Sequence, residues 1–312
     1  MSLLTSPLGI QLKSILIATD FSKASEGPLR HALGIARHYG AKLYLTHVVS
    51  SLGFTLAGPE SLVLATDSAR REAQELERDL LNRGELDGFN HEIVIRQGNV
   101  WEELKEVINQ ERVDLVVVGT HGRRGLGKLL LGSVSEEIFC HAPCPVLTVG
   151  PSSFQEAHVE SIGVPRPILF PTDFGAASLR ALPYAMAFAN QRRAKLVLLH
   201  VLPSVPVSAT SLHWCTASDF AKLQENTRVA TLERLEGLIP HIAKLALRPE
   251  YVVEFGLQAA DVILRTAEVR PVDVIVMGLN RPDHMTLASH FRQTTAYQVV
   301  CSAACPVLTT RD

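Results

Sequence analysis

Cysteine is scarce in this sequence, with five among 312 residues. So few thiols in so long a chain do not make a disulfide framework, and the first stretch, MSLLTSPLGIQLKS, lacks the charged-then-apolar order of a signal peptide. No apolar run approaches the roughly 18 residues that a membrane span needs. We therefore expect a soluble protein in a reducing, cytoplasmic setting.

An excess of charge is also missing. Thirty Lys and Arg residues face 32 Asp and Glu residues, which leaves a formal net charge of −2. A balance so close to zero gives no electrostatic footprint for nucleic acid or for an anionic membrane. We predict neither as a partner.

Familiar nucleotide-binding patterns are absent or incomplete. The sequence contains no GxGxxG, and GRRGLGKL at 122–129 misses the P-loop pattern because Leu129 stands where a magnesium-binding hydroxyl is required. A P-loop would also follow the first strand of its domain, whereas this segment comes late in its half of the chain. A nucleotide site, if present, must be of another kind.

What the chain does contain is an internal repeat. Four segments return in the same order: ILIATDFS at 15–22 as ILFPTDFG at 168–175, KLYLTHVV at 42–49 as KLVLLHVL at 195–202, VDLVVVG at 113–119 as VDVIVMG at 272–278, and CPVLTV at 144–149 as CPVLTT at 305–310. Repeat and length together predict two domains, 1–150 and 167–312. The residues between them, 151–166, read as a linker.

Each half alternates short apolar runs with helical patterns. In the first half, five runs without polar alternation predict buried strands, centred on Ile15, Leu43, Ile93, Leu115 and Val146. Gly40 is expected to end the first helix and Asn99 to cap the third. The pattern predicts an α/β fold of two tandem Rossmann-like domains, each an open five-stranded parallel sheet sandwiched by about four helices. In such sheets ligands bind at the carboxyl ends of the strands, where the winding reverses.

A glycine-rich, cationic segment follows the fourth strand of the first half, VVVGTHGRRGLGKLLLGS at 116–133. The absence of a Cβ at Gly119 would let a ligand approach the backbone. Gly132 and Ser133 directly precede a helical pattern, whose first N–H groups suit phosphate oxygens. The hydroxyls of Ser133 and Ser135 can donate to a phosphate as well. The alternative is a glycine-rich turn that serves only as a flexible connection.

With the repeat, the aspartate that ends the first strand and this loop, the sequence resembles the universal stress protein family in its tandem two-domain form. Gly119, Gly122, Gly132 and Ser133 fit that family's nucleotide-binding pattern G-x2-G-x9-G-[ST] without a gap. The resemblance implies Rossmann-like domains of the HUP/USP type. It also implies ATP as the ligand, alone or with Mg²⁺.

The resemblance further implies which residues surround the nucleotide. Asp20, with Ala18 beside it, would recognise the adenine edge. The other implied residues are His47 and Val48 around the base, Val118 and Gly119 at the ribose or base, and His121, Gly122, Gly132, Ser133, Val134 and Ser135 around the phosphates. Alternatives stay open: Asp20 as a helix-capping turn residue, His47 as a structural histidine, and the two valines as core.

The second half departs from this pattern. It retains Asp173, His200, Val201 and Gly278, but no glycine follows Gly278 in its loop. Arg281, Gln293 and Thr294 stand where the first half has glycine, glycine and serine. Because side chains at these places would obstruct a phosphate path, we predict that the second domain binds ATP weakly or not at all.

Binding is favoured over catalysis. The loop has no carboxylate between Gly119 and Val134 that could hold magnesium or activate water. We therefore predict an ATP-binding regulatory protein of the stress response, with no catalytic residues. The alternatives are a slow ATPase, and a nucleotide-independent assembly module in which the two domains pair through CPVLTV and CPVLTT.

Two further kinds of site are disfavoured by the residues. An adenylating or pyrophosphatase-type enzyme is disfavoured because TDFSKAS lacks the SGGxDS signature of those enzymes. The thiol pairs in CHAPC and CSAAC have no further ligand pair nearby in sequence, so we expect them to pack in the core and bind no metal. The apolar CPVLTV and CPVLTT strands suggest an edge-to-edge contact between the two halves inside one chain, and a homodimer is left open.

Overall fold

Strands and helices alternate along the chain, as the sequence predicts. The computed structural model describes residues 10–51, 59–120, 131–151, 165–204, 217–239, 245–280 and 294–311. The strands are β1 Ser14–Ala18, β2 Lys42–Ser50, β3 His91–Gly98, β4 Leu115–Gly119, β5 Val146–Val149, β6 Ile168–Pro171, β7 Leu196–Pro203, β8 Glu250–Gly256, β9 Val274–Leu279 and β10 Val307–Arg311. The helices are α1 Glu26–Tyr39, α2 Pro59–Asn82, α3 Val100–Gln110, α4 Ser133–His141, α5 Ala176–Gln191, α6 Ala217–Glu236, α7 Ala259–Val269 and α8 Thr295–Ser302.

Local signals place the helix ends. Gly40 ends α1 in the left-handed region at φ 64°, where a residue without a Cβ is least strained. The side chain of Asn99 accepts hydrogen bonds from the N–H groups of Trp101 and Glu102 at the start of α3. Both predicted helix boundaries are confirmed.

The first compact unit comprises the described residues up to 151 together with Val300–Arg311. Its strands lie in the order β3-β2-β1-β4-β5-β10. The first five run parallel, so that Ile15 of β1 pairs with Leu43 on one side and Leu115 on the other. The winding reverses between β1 and β4, which makes their carboxyl ends the expected ligand position.

β10 closes the other side of this unit. The repeat assigns this strand to the second half, but it belongs to the first unit and pairs antiparallel with β5, with Leu308 opposite Leu147. Both leucines are buried. The edge-to-edge contact expected between the two Cys-Pro-Val strands is therefore present.

The second compact unit, 165–299 among the described residues, repeats the parallel arrangement. Its strands lie in the order β9-β6-β7-β8, and Ile168 of β6 pairs with Leu196 of β7 and Val274 of β9. The predicted α/β architecture is confirmed. Within the parts of the chain described, we find no helix both long enough and apolar enough to cross a lipid bilayer.

Candidate functional site

Asp20 holds the turn between β1 and α1. Its Oδ1 accepts three hydrogen bonds, from the Ser22 N–H at 3.0 Å, the Ser22 hydroxyl at 2.6 Å and the Ser25 hydroxyl at 2.7 Å. Within this turn Phe21 takes a left-handed conformation, φ 58°, and its N–H donates to the Thr19 hydroxyl oxygen at 3.0 Å. Asp20 therefore has the structural role that was the alternative to adenine recognition, because it stabilises the loop between β1 and α1. It does not cap α1, since no side chain accepts a hydrogen bond at the N-cap of that helix.

His47 ties the end of β2 to the end of β1. Its Nδ1 lies 2.7 Å from the Thr19 carbonyl oxygen, and because a carbonyl only accepts, Nδ1 carries the proton. In the neutral ring Nε2 is then the acceptor. The ring of Phe21 packs on the imidazole, with 5.2 Å between centroids. This geometry gives His47 a structural role.

Four of the implied site residues form an apolar patch at the point where the winding reverses. Val118 is 4% exposed and belongs to the hydrophobic core, while Ala18, Val48 and Val134 are half-buried and pack against the same core cluster. Ala18 pairs in register with Val118 across β1 and β4. A flat apolar group could rest on this patch.

The start of α4 is fastened to the end of β4. The Gly132 N–H donates to the Thr120 carbonyl oxygen at 2.9 Å, and the hydroxyl of Ser135 donates to the Gly119 carbonyl oxygen at 2.6 Å. Gly132 is the N-cap and carries no side chain that could accept from the helix. The N–H groups of the first turn, at Ser133 to Ser135, have no partner one turn back within the helix. These N–H groups lie at the apolar patch, to which the side chain of Val134 belongs.

The expectation that the Ser135 hydroxyl donates to a phosphate changes. The Ser135 side chain is buried, and its hydroxyl proton is already donated to Gly119. It is therefore not available to a phosphate, and only the N–H of Ser135 remains for that purpose. Ser133, by contrast, is exposed. His121 and Gly122 lie outside the described residues.

The same turn recurs in the second unit. Asp173 Oδ1 accepts from the Gly175 N–H at 2.8 Å and from the Ser178 hydroxyl at 2.7 Å, and Phe174 is again left-handed at φ 62°. His200 Nδ1 lies 2.7 Å from the Thr172 carbonyl oxygen. Burial raises the pKa of Asp173, but the hydrogen bonds from Ser178 and Gly175 outweigh it and hold that pKa below its ordinary value. The Thr-Asp-Phe turn is thus a structural unit of both halves.

The helix that corresponds to α4 begins differently. Thr294 precedes α8, and its hydroxyl oxygen accepts from the Tyr297 N–H at 3.3 Å, so one donor of the first turn is already used. In addition, the Arg234 guanidinium lies 4.0 Å from the centroid of the Phe174 ring. Arg281 and Gln293 lie outside the described residues. The second unit therefore keeps the aspartate turn but not the uncapped helix start.

Gly278 shows why a glycine is needed at the end of the matching strand. A Cβ built on Gly278 would overlap the backbone of Ala177 and Ser178 at the start of α5. Gly119 has the equivalent position in the first half, and β4 contacts the 3-10 turn Lys23–Ser25 that leads into α1. Close helix packing is thus a sufficient reason for glycine at Gly278. For Gly119, the ligand approach stays the expectation.

We expect Gly278→Ala to lower the free energy of unfolding by about 3 kcal/mol, because backbone cannot yield to the added Cβ as a flexible side chain would. The matched control is Gly132→Ala. Gly132 has φ −60°, and a Cβ there would meet the Thr120 carbonyl oxygen at an ordinary 3.6 Å. This control should change the free energy by less than about 1 kcal/mol. Urea unfolding measures both, and equal losses would contradict the packing argument.

Hydroxyl residues that hold these turns are not among the predicted site residues. Thr19, Ser22 and Ser25 in the first unit, and Thr172 and Ser178 in the second, supply or accept the hydrogen bonds around each aspartate. The signal was available, since the triplet Thr-Asp-Phe and a serine five residues after the aspartate occur in both halves.

The thiols show no sign of a reactive or metal-binding arrangement in the part of the chain described. Cys140, Cys144, Cys301 and Cys305 form no disulfide bond and are half-buried, and no group of three or more His, Cys, Asp and Glu side chains there could hold a metal ion. Burial, with a smaller contribution from Asp114, raises the pKa of Cys144 to about 12. That thiol therefore stays protonated at neutral pH.

Comparison with known proteins gives a consistent result. The sequence profile described as Universal stress protein family matches twice, at residues 11–150 and 165–311. A universal stress protein of Methanocaldococcus jannaschii is 34% identical over 138 residues, which is 44% of this chain and 81% of that protein. A universal stress protein of Mycolicibacterium smegmatis is 30% identical over 236 residues, 72% of this chain and 74% of its own.

A solved structure agrees on the fold. The crystal structure of a universal stress protein from Archaeoglobus fulgidus aligns with a TM-score of 0.64 over 97% of this chain and 99% of that one. At 21% sequence identity, the likeness concerns the fold alone.

Proposed function

The chain belongs to the universal stress protein family, and from that premise we propose that its first unit binds ATP and that the protein acts as a nucleotide-dependent regulatory protein. One observation carries the proposal. The start of α4 is fastened to the end of β4, without a capping side chain, at the point where the sheet reverses its winding. This arrangement offers main-chain donors to an anion where such sheets bind ligands.

The phosphates are assigned to the start of α4. The N–H groups of Ser133, Val134 and Ser135 point out of the first turn, and the helix dipole adds a partial positive charge there. Ser133 is exposed and can add its hydroxyl. Hydrogen bonds from such donors to phosphate are charge-assisted and roughly twice as strong as neutral ones.

The base is assigned to the neighbouring strand ends. Of the two carboxylate oxygens of Asp20, Oδ1 holds the turn. We assign Oδ2 as the acceptor of a hydrogen bond from the adenine amino group. Ala18, Val48 and Val118 offer apolar surface beside it. A carboxylate that accepts from an amino group prefers adenine over guanine, which carries a carbonyl oxygen at that ring position.

Binding without efficient turnover fits the chemistry of these residues. Hydrolysis needs a base or a metal that positions the attacking water. Asp20 lies at this edge, and its Oδ1 is engaged by the Ser22 and Ser25 hydroxyls. ATP occupancy would then act through the shape of the unit and not through a chemical step.

We expect one ATP per chain, bound with micromolar affinity. The second unit should contribute no site, because Thr294 caps the matching helix. Isothermal titration of the full chain with ATP measures affinity and stoichiometry together, and adenosine serves as the phosphate-free comparison. A stoichiometry of two would contradict binding by the first unit alone, and no binding of ATP would contradict the proposal itself.

A further inference from the structure

In the last turn of α4, the Phe139 carbonyl cannot receive the usual helical hydrogen bond from the residue four positions further on. Phe139 is fully buried, at 0% exposure. The residue four positions further on is Pro143, which has no N–H to donate. The preceding carbonyl, that of Ile138, is served within the chain segment by the Ala142 N–H at 2.9 Å. Since a hydrogen bond stabilises a buried carbonyl, a partner outside the regular helix pattern contributes at this position.

That partner comes from the far end of the sequence. The side chain of Arg311 donates through Nη2 to the Phe139 carbonyl oxygen. Arg311 is the last residue of β10, which pairs antiparallel with β5, and the Thr309 hydroxyl donates to the Val146 carbonyl oxygen at 3.3 Å within the same pair of strands. The strand pairing therefore delivers the guanidinium to the end of α4.

Both ends of a short helix are thus held. α4 has nine residues, which at 1.5 Å per residue makes it only about 13 Å long. The first turn is fastened through Gly132 and Ser135, and the last turn through Arg311. A cation at the carboxyl end of a helix also complements the helix dipole. A helix this short moves as one body, so that holding its last turn also holds its first.

We propose that Arg311 is a positioning residue for the phosphate-binding start of α4. The inference rests on the proposed function, because it concerns the same helix. It goes further in making the site of the first unit depend on a strand from the second repeat. Since linkage is reciprocal, bound ATP in turn stabilises the docked state of β10.

The test compares three variants of the full chain. Arg311→Ala should weaken ATP binding about tenfold, as expected when a buried carbonyl loses a charged donor. Arg311→Lys should retain most of the affinity, because an ammonium can still donate. The matched control is Arg83→Ala, which removes an arginine that donates to the Asp79 carbonyl oxygen at the end of α2, far from the site in sequence. It should leave the affinity unchanged.

Two readouts separate positioning from a general loss of stability. Adenosine binding should change less than twofold in Arg311→Ala, because the proposed function assigns the main-chain donors at the start of α4 to the phosphates and the base to Asp20, Ala18, Val48 and Val118. Hydrogen exchange of the amides at 133–141 in ligand-free protein should become faster in this variant and not in Arg83→Ala.

The outcomes distinguish a failure of the role of Arg311 from a failure of the proposed function. Unchanged exchange in α4, or equal losses of ATP and adenosine affinity, would overturn the role of Arg311 while leaving the proposed function intact. A wild-type chain that binds no ATP would overturn the proposed function, and with it the part of this inference that concerns nucleotide. In that case, faster exchange of the α4 amides in Arg311→Ala would support only the hydrogen bond from Arg311 to the Phe139 carbonyl oxygen.

Discussion

Replacing Ser133 by aspartate should lower the affinity for ATP about a hundredfold or more. Two unit charges about 4 Å apart interact with about 4 kcal/mol near a protein surface, and screening by salt reduces this value. Each 1.4 kcal/mol corresponds to about a tenfold change in affinity. Ser133 is the first residue of α4 and is exposed, so that a carboxylate at this place would face the phosphates that the proposal puts there. Titration with ATP at two salt concentrations measures the effect and its screening.

The same substitution should not destabilise the protein. A carboxylate in the first turn of a helix interacts favourably with the helix dipole, by about 0.3–1 kcal/mol at the surface. We therefore expect an unchanged or slightly higher midpoint of thermal unfolding, together with unchanged binding of adenosine. A loss of ATP affinity accompanied by unfolding would be a different result and would not support the proposal.

The second half offers a matched control, Thr294→Asp. Thr294 is exposed and corresponds to Ser133 when the two Cys-Pro-Val segments are aligned. An aspartate there can still accept from the Tyr297 N–H and keep α8 capped. ATP affinity should stay at the wild-type value in this variant. Equal losses in the two variants would contradict the placement of the phosphates at α4.

Asp20→Asn has the second largest expected effect, a loss of about thirtyfold in ATP affinity. An asparagine can keep its Oδ1 on the Ser22 N–H, which preserves the turn. Its amide nitrogen then replaces the second carboxylate oxygen, so that a donor faces the donor amino group of adenine. A hydrogen bond to a charged group contributes about 1.5–3 kcal/mol, and the expected loss follows from that range. Titration with ATP measures it.

Inosine triphosphate makes this test specific for the base. It carries a carbonyl oxygen where ATP carries the amino group, and an asparagine amide can donate to that oxygen. The variant should therefore bind inosine triphosphate better than the wild-type chain does. The control is Asp173→Asn, the equivalent change in the second unit, which should leave both affinities unchanged. An Asp20→Asn variant with wild-type affinity for ATP would show that Asp20 serves only the turn.

Much of the fold could be predicted from local patterns. Apolar runs without alternation mark strands that are covered on both faces, as for Ile15 with neighbours Leu43 and Leu115. The reversal of winding between β1 and β4 follows from the order of strands and helices. Asn99 and Gly40 act through hydrogen bonds and backbone angles of their immediate neighbours, which is why their roles are legible in the sequence.

The sequence indicates which residues follow the strand ends, but not which contacts their side chains make. Whether the Ser135 hydroxyl donates to a ligand or to Gly119 depends on where β4 ends in space. The sequence predicts that Thr294 obstructs phosphate by its size, whereas the contact observed is a hydrogen bond in which its hydroxyl oxygen accepts from the Tyr297 N–H. Arg311 and Phe139 are too far apart in sequence for any local pattern to connect them, because only the antiparallel register of β5 and β10 brings them together.

The retained residues of the second half illustrate a limit of motif reading. Asp173 and His200 match Asp20 and His47, and each pair makes the same turn contacts. Their retention is explained by the turn alone. Among the described residues, the two halves differ at the start of the helix after the fourth strand, where the N-cap is glycine in one half and a threonine that accepts a hydrogen bond in the other.

A crystal structure of the full chain grown with ATP tests the central claim most directly. The account predicts one nucleotide, with its phosphate oxygens within hydrogen-bonding distance of the N–H groups of Ser133, Val134 and Ser135 and its adenine beside Asp20. Phosphates bound away from the start of α4, or a nucleotide seated at the carboxyl edge of the second unit's sheet, would contradict it.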